Sequence, residues 1–356
     1  MPNTTDDYGP ISASAGATPG ASGTTTPHTH GESSTHIRQQ ALASAHPSAA
    51  GPPPDPAVEY TFGLPPAAAL AGLSATSRRC IENFVAHGVA AEHDVGLARR
   101  AAVLIAVFQR PGEDGLRVLL TTRAKHLRRN PSQTALPGGQ RDATDPSAAF
   151  NARREAYEEV GLPASHASVH MLTVLDPILT VLPLNAPFKH HIVVTPVVAF
   201  IDDPALVDSL TPNPDEVDCI FDHPLGAVWT GEPEDEVKTG LATHGGEWWP
   251  HGEDYHSRED RVGATGPYRM HRFRTRHSPI KGFTSNVLIS AAAVAYAAEP
   301  AYGHFAAGQR RFSDAIHEVV STLPTLSSSP PQNSKPLEWG LLAGGSQASG
   351  ETYYRQ

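Results

Sequence analysis

A Gly-Gly turn followed by a helix bearing three glutamates restricts this chain more than any other feature. Residues 136–162 read LPGGQRDATDPSAAFNARREAYEEVGL, with Glu155, Glu158 and Glu159 near the end. Positions i, i+3 and i+4 share one face of an α-helix, so the three carboxylates stand together. Like charges in that pattern destabilise a helix on its own. A divalent cation offsets the repulsion and takes oxygen ligands. A solvated acidic helix accounts for a Glu-Glu pair, but not for the turn, the acidic spacer and the third glutamate at once. Thr144 or Asp145 is the expected N-cap, with Pro146 in the first helical position. Gly161 is expected to end the helix in the left-handed conformation, and Pro163 bars its continuation. Ala148, Ala152 and Ala156 form a small-residue stripe suited to close packing on a sheet. Arg154 precedes Glu158 by one turn and reaches back toward the Asp142–Asp145 loop, which predicts a structural brace.

The rest of the chain reads as α/β. A helix is expected over 74–88, capped by Ser74 or Thr76, with Ile81, Phe84 and Val85 inward. Strands are expected at 102–108, 117–122, 169–175, 191–201, 216–221 and 268–275. Pro196 cannot donate to a ladder, which predicts an interruption or an edge position for its strand. Helices are expected at 282–298 and 308–322. Residues 1–57 and 325–356 are rich in small and polar residues. Such segments bury too little apolar area to offset ordering entropy, so disordered tails are expected there. A helical lead-in at 58–94, a main domain at 95–305 and a C-terminal helix at 306–324 complete the expected organisation. Within the domain, 231–266 is a long polar insertion containing Trp248 and Trp249. It is expected either to close as a lid, with a tryptophan stacking on a base, or to be partly disordered with its tryptophans packed on the domain surface.

Composition excludes several functions. The net charge is −10, against nonspecific nucleic-acid binding. No apolar run reaches the length of a membrane span. Two cysteines, Cys80 and Cys219, make no disulfide scaffold and predict a reducing, intracellular compartment. The N-terminus lacks the pattern of a secretory signal. Peroxisome, mitochondrion and cytosol are not distinguished.

Gly139-x5-Asp145, followed after eight residues by Arg154-Glu155-Ala156-Tyr157-Glu158-Glu159-Val160-Gly161-Leu162, resembles the Nudix hydrolase box. In that family the box runs Gly-x5-Glu-x7-Arg-Glu-U-x-Glu-Glu-x-Gly-U, with U apolar. Asp145 stands where the box has Glu, the spacer to Arg154 is one residue longer, and Ala156 is small for U. Upstream, residues 119–139 read LLTTRAKHLRRNPSQTALPGG. This is similar to the signature of the coenzyme A diphosphatase branch, Leu-Leu-Thr-x-Arg-[Ser/Ala]-x3-Arg-x3-Gly-x3-Phe-Pro-Gly-Gly. Leu119, Leu120, Thr121, Arg123, Ala124, Arg128, Pro137, Gly138 and Gly139 match. Ser132 replaces the Gly and Leu136 the Phe. The longer box spacer is common in this branch.

The resemblance implies the Nudix α/β/α sandwich with a mixed central sheet. It also implies metal-dependent hydrolysis of coenzyme A, or its acyl derivatives, to 3′,5′-ADP and 4′-phosphopantetheine. Mg²⁺ or Mn²⁺ would be held by Glu155, Glu158, Glu159 and the backbone carbonyl of Gly139, with the three glutamates catalytic. Arg123 and Arg128 would bind substrate phosphates through their guanidinium forks. Arg154 and Gly138 would brace the site. The proton acceptor is a box glutamate or a carboxylate from another loop, such as Glu216. The alternatives are a Nudix hydrolase for ADP-ribose or NADH, and a non-catalytic Nudix binding module.

Overall fold

The structure, a computed structural model, describes residues 51–327 except 93, 97, 181–189, 264 and 265. The expected tails therefore lie outside the described residues, apart from 51–57 and 325–327. Gly51 accepts a hydrogen bond from the Tyr157 hydroxyl at 3.0 Å, and the last helix continues to Ser327.

Alternation of apolar side chains builds a two-faced central sheet. Strand β1 (Arg99–Phe108) lies at its middle, buried from Ala102 onward. Its even residues Ala102, Leu104, Ala106 and Phe108 join one core, and its odd residues Val103, Ile105 and Val107 join another. This is the period-2 signature of a strand covered on both faces. Strand β2 (Arg117–Arg123) pairs antiparallel with β1, and β3 (Thr134–Ala135) with β2. The short β4 (Gly138–Gln140) pairs with the start of β1. On the other side β7 (Ile192–Ile201) runs parallel to β1, followed by β5 (Val169–Val174), with β6 (Ile178–Leu179) also on β7. Strand β8 (Val217–Pro224) closes on β2. One parallel pair among antiparallel ones makes the sheet mixed, as expected.

Helices cover both faces. After the single turn α1 (Ala67–Leu70), α2 (Ala75–His87) is capped by Ser74, whose side chain accepts from the Ser77 amide. Its Ile81 and Phe84 are fully buried on the odd-residue face of β1. Helix α3 (Ala148–Val160) carries the three glutamates and packs on the even-residue face. Ala152 and Ala156 have no exposed surface there, so the small-residue stripe lets α3 lie close to β1. A short α4 (Pro204–Asp208) leads to β8, and α5 (Leu225–Thr230) follows it. The long apolar α7 (Gly282–Ala295) packs beside α2, and α8 (Phe312–Ser327) covers β6.

Two expectations fail for physical reasons. Pro196 sits inside β7, which is continuous and paired on both sides. Its carbonyl accepts from the Leu175 amide at 2.9 Å, so its missing N–H faces the same side. That side is where β5 ends at Val174 and β6 has not begun, so no ladder bond is lost. The 231–266 segment is also more ordered than its polarity suggests. It holds a helical turn, α6 (Asp235–Lys238), and strand β9 (His256–Gly263). Strand β9 pairs with β10 (Gly266–Phe273), which pairs with β11 (Ile280–Lys281) to form a second sheet. Crossed charges hold β9 to β10. The Arg269 Nε lies 2.6 Å from Asp260, and the Arg272 Nη2 2.8 Å from Glu259.

Trp249 is completely buried, and its indole N–H donates to the Glu253 carbonyl at 2.6 Å. It is unavailable to stack on a base, which overturns the lid reading for that residue. Trp249→Ala is expected to lower stability by about 3–5 kcal/mol, the range for deleting a buried large aromatic. Urea denaturation would measure it. A loss confined to activity, with stability unchanged, would restore the lid reading.

Candidate active site

The site grows from the contact between α3 and β4. Ser147, not Thr144 or Asp145, caps α3, and its hydroxyl accepts from the Phe150 amide at 3.1 Å. Asp145 is otherwise engaged. Its buried carboxylate receives the Arg154 Nε and Nη2, each at 2.9 Å, and the Asp142 amide at 2.8 Å. Arg154 also contacts Glu158 and Glu155 through Nη1, both at 3.0 Å. It thus ties the loop before the helix to two box glutamates, a brace built on a forked, charge-assisted pair. Gly161 ends α3 at φ 69°, in the left-handed region as expected.

Along one stripe of α3, three side chains meet three successive backbone positions. Asn151 lies at Gln140, Glu155 at Gly139 and Glu159 at Gly138. Gly138 donates its N–H to Glu159 Oε2 at 3.2 Å. A Cβ on Gly138 would stand 2.5 Å from the Ala102 carbonyl oxygen, and one on Gly139 2.5 Å from the Glu155 carboxylate. Both glycines are therefore required for close approach, one by the sheet and one by the acid.

A third carboxylate completes the group. Glu155, Glu159 and Glu216 each place an oxygen within 4.8 Å of the others. The loop carrying Glu216 is fastened to the end of α3. Asn213 donates its N–H to the Glu159 carbonyl at 2.9 Å, and Thr211 donates to Val160 at 3.2 Å. The Asn213 carbonyl accepts from the Glu216 and Val217 amides, and the Glu216 carbonyl accepts from Ala124 at 3.0 Å. Glu158 lies outside the group of three, its carboxylate turned to Arg154.

The electrostatics follow from crowding. Burial, then the neighbouring Glu158 and Glu216, lift the Glu155 carboxyl to about 7, although Arg154 opposes the rise. Burial, then Glu155 and Glu216, push Glu159 well above the usual carboxylate range, with Arg123 and the Gly138 amide opposing. Arg123 is thus an electrostatic neighbour of Glu159. It stands at the end of β2, where its N–H donates to the Gln133 carbonyl at 2.9 Å, and its buried Nε has no hydrogen-bond partner. Arg128 is exposed on the following loop. That loop places Ser132 at φ 57°, a left-handed conformation in which glycine carries no steric cost. Conformation is thus a physical reason for glycine there, and Ser132 occupies the same backbone shape at some strain.

A divalent cation suits this donor set. All three groups are hard oxygen donors, and their mutual repulsion is relieved by positive charge. Cation binding must displace the proton that Glu155 holds below about pH 7. Affinity for Mn²⁺ is therefore expected to rise with pH as Glu155 and the still more strongly raised Glu159 give up their protons, in titration calorimetry from below pH 7 upward. For the cation-free protein the sign is opposite. A raised folded-state pKa gives stability that is full below the unfolded value and is lost as pH rises through about 7. Cation affinity independent of pH would contradict this account.

Comparison with known proteins agrees with the geometry. Residues 98–239 match the family model described as the NUDIX domain. The chain is 34% identical over 205 residues to "Nudix hydrolase 15, mitochondrial" of Arabidopsis thaliana, covering 57% of this chain and 61% of that protein. It is 43% identical over 127 residues to "Uncharacterized Nudix hydrolase NudL" of Yersinia pestis (strain Pestoides F), covering 36% of this chain and 56% of that protein. The matches thus span less than two thirds of these relatives. Among solved structures, a Nudix hydrolase from M. Smegmatis, RenU, aligns at a TM-score of 0.28 and 26% identity, over 36% of this chain and 71% of that one. With the box helix, the two glycines and the mixed sheet in place, residues 98–239 are a Nudix domain, and Nudix hydrolases are among the relatives of this chain.

Proposed function

We propose that this protein is a Nudix-type diphosphatase that hydrolyses the diphosphate bond of coenzyme A or its acyl derivatives, giving 3′,5′-ADP and (acyl-)4′-phosphopantetheine. The observation that carries the reading is the group of Glu155, Glu159 and Glu216 with Arg123 beside it. The acids would hold Mg²⁺ or Mn²⁺, together with the carbonyl of Gly139. When bound, the cation supplies Lewis-acid polarisation of the diphosphate and a more acidic water.

The chain's own residues then have distinct tasks. Arg123, whose charge tempers Glu159, would pair its guanidinium with a phosphate oxygen. Arg128, exposed on the loop that follows β2, would contact the outer part of a long substrate. Glu216 comes from a separate loop and is suited to accept a proton from the attacking water. Glu158 works through Arg154: together they hold the loop at Asp145 and keep Glu155 turned toward Gly139. The 119–139 motif supports coenzyme A over ADP-ribose or NADH. Retention of all three box glutamates supports catalysis over binding alone. Both cysteines are free thiols, which suits a reducing compartment.

The test is a product analysis by mass spectrometry with Mg²⁺ or Mn²⁺ and coenzyme A, an acyl-coenzyme A, ADP-ribose and NADH. Coenzyme A and its derivative are expected to be cleaved in preference. Cleavage of ADP-ribose alone would overturn the substrate assignment, and no cleavage of any compound would favour a binding module. Glu159→Gln is expected to abolish turnover while the far-UV circular dichroism stays that of the parent. Full activity of that variant at saturating Mg²⁺ would refute the role given to the carboxylate group.

A further inference from the structure

Arg153 is a charge buried without a counter-ion. It lies within α3 and is 1% exposed. The next residue, Arg154, is matched by Asp145, Glu155 and Glu158. Among the described residues no acid matches Arg153 in this way. Its Nη2 donates to the carbonyls of Pro163 at 2.5 Å and Ala164 at 3.3 Å, just past the end of the helix. Its Nε and Nη1 are buried and meet no hydrogen-bond partner. The polar side chain that acts on it is Tyr60, a phenol whose own pKa burial raises, so it brings no negative charge at neutral pH. Burial weakens the hold of the guanidinium on its proton, with Tyr60 opposing, yet arginine stays charged at neutral pH. Tethering the loop after α3 accounts for one nitrogen of the three. It explains neither the other two nor the unmatched charge, and both are costly to bury.

The unsatisfied group borders a cavity. Between residues 58–66 and the loop after α3 lies a space of about 360 Å³, with Arg153 in its wall. Thr61, Ser165 and His166 line it as exposed residues and Arg153 as a buried one, so the cavity leads inward from its rim to the guanidinium. His166 offers a further donor. Its Nδ1 accepts from the Ser168 amide at 3.2 Å, which leaves the proton of the neutral ring on Nε2. Glu59, the only acid among the described lining residues, is exposed and makes no ion pair with Arg153. Arg153 stands about 200° around the helix from Glu155, so the cavity lies on a different side of α3 from the carboxylate group.

We propose that this cavity is a binding site for a small oxyanion, a phosphate or carboxylate group, seated against the buried Arg153 guanidinium with His166 donating at the rim. An oxyanion supplies both things that Arg153 lacks, negative charge and hydrogen-bond acceptors. Once bound, it ties residues 58–66 to the end of the box helix. The inference does not rest on the diphosphatase reading.

The experiment is titration calorimetry and thermal unfolding of the metal-free full chain in phosphate, acetate and chloride at equal ionic strength. Phosphate or acetate is expected to bind and to raise Tm, and chloride is not. Which of the two oxyanions binds more tightly identifies the source of the group. Arg153→Met is expected to fold, since it removes an unpaired buried charge, and to weaken oxyanion binding by about tenfold or more, the loss of one charge-assisted contact. If that variant does not fold, the exposed His166→Ala tests the same cavity, with an expected weakening of about three- to tenfold. Arg123→Gln should leave the binding in place, which separates this site from the candidate active site. No oxyanion-specific binding by the wild type, binding unchanged in Arg153→Met or, failing that variant, in His166→Ala, or binding lost in Arg123→Gln overturns the proposal.

Discussion

The repulsion among Glu155, Glu159 and Glu216 is the constraint around which this domain is arranged. Two unit charges at such separations repel by about 3–4 kcal/mol at an effective dielectric near 20, and burial adds a desolvation cost to each. The fold tolerates this because several elements converge on the group. Helix α3 supplies two acids, β4 supplies glycines that let them approach, and the 211–217 loop supplies the third. Arg154 supplies opposing charge at Glu155, and Arg123 does so at Glu159. The crowded acids hold protons above the ordinary carboxylate range, and that strained electrostatic state is what a divalent cation relieves.

Arg154 shows how the arrangement is kept rigid. Its fork saturates the buried Asp145, and its remaining nitrogen reaches two glutamates of its own helix. Removing one partner from a buried ion pair leaves an uncompensated charge, which costs roughly 3–5 kcal/mol. The loop, the helix start and two box glutamates are thus coupled through one guanidinium. Asp145 in the place of a glutamate is sterically consistent with this, since the short side chain sits buried against the loop that Arg154 clasps.

The parts of the molecule that were legible in advance are those governed by local periodicity. Strand β1 has apolar residues at every position from Ala101 to Phe108, and α3 has its alanine stripe, its C-terminal Gly161 and its acids on one face. The parts that were not legible depend on partners far away in the chain. Strand β9 reads HSREDRVG and shows no hydrophobic alternation, because cross-strand charge pairs with Arg269 and Arg272 hold it. Pro196 is harmless only because the neighbouring strand turns away beside it. Asp145 looked like a helix cap because aspartate caps helices well, but the buried pair with Arg154 claims it and leaves capping to Ser147.

The sequence by itself determined the box helix, its facing glycines, the α/β class and the sharing of one helix face by Glu155, Glu158 and Glu159. Spacing along one helix places side chains on one face whatever surrounds it. Tertiary structure alone decided that Glu216 joins Glu155 and Glu159, that Glu158 turns to Arg154, and that Trp249 is buried. Glu216 lies in a loop remote in sequence from the box, and hydrogen bonds from Thr211 to Val160, from Asn213 to Glu159 and from Ala124 to Glu216 bring it to the site. Which charges are neutralised and which are left over is a property of three-dimensional neighbours, and no local pattern encodes it.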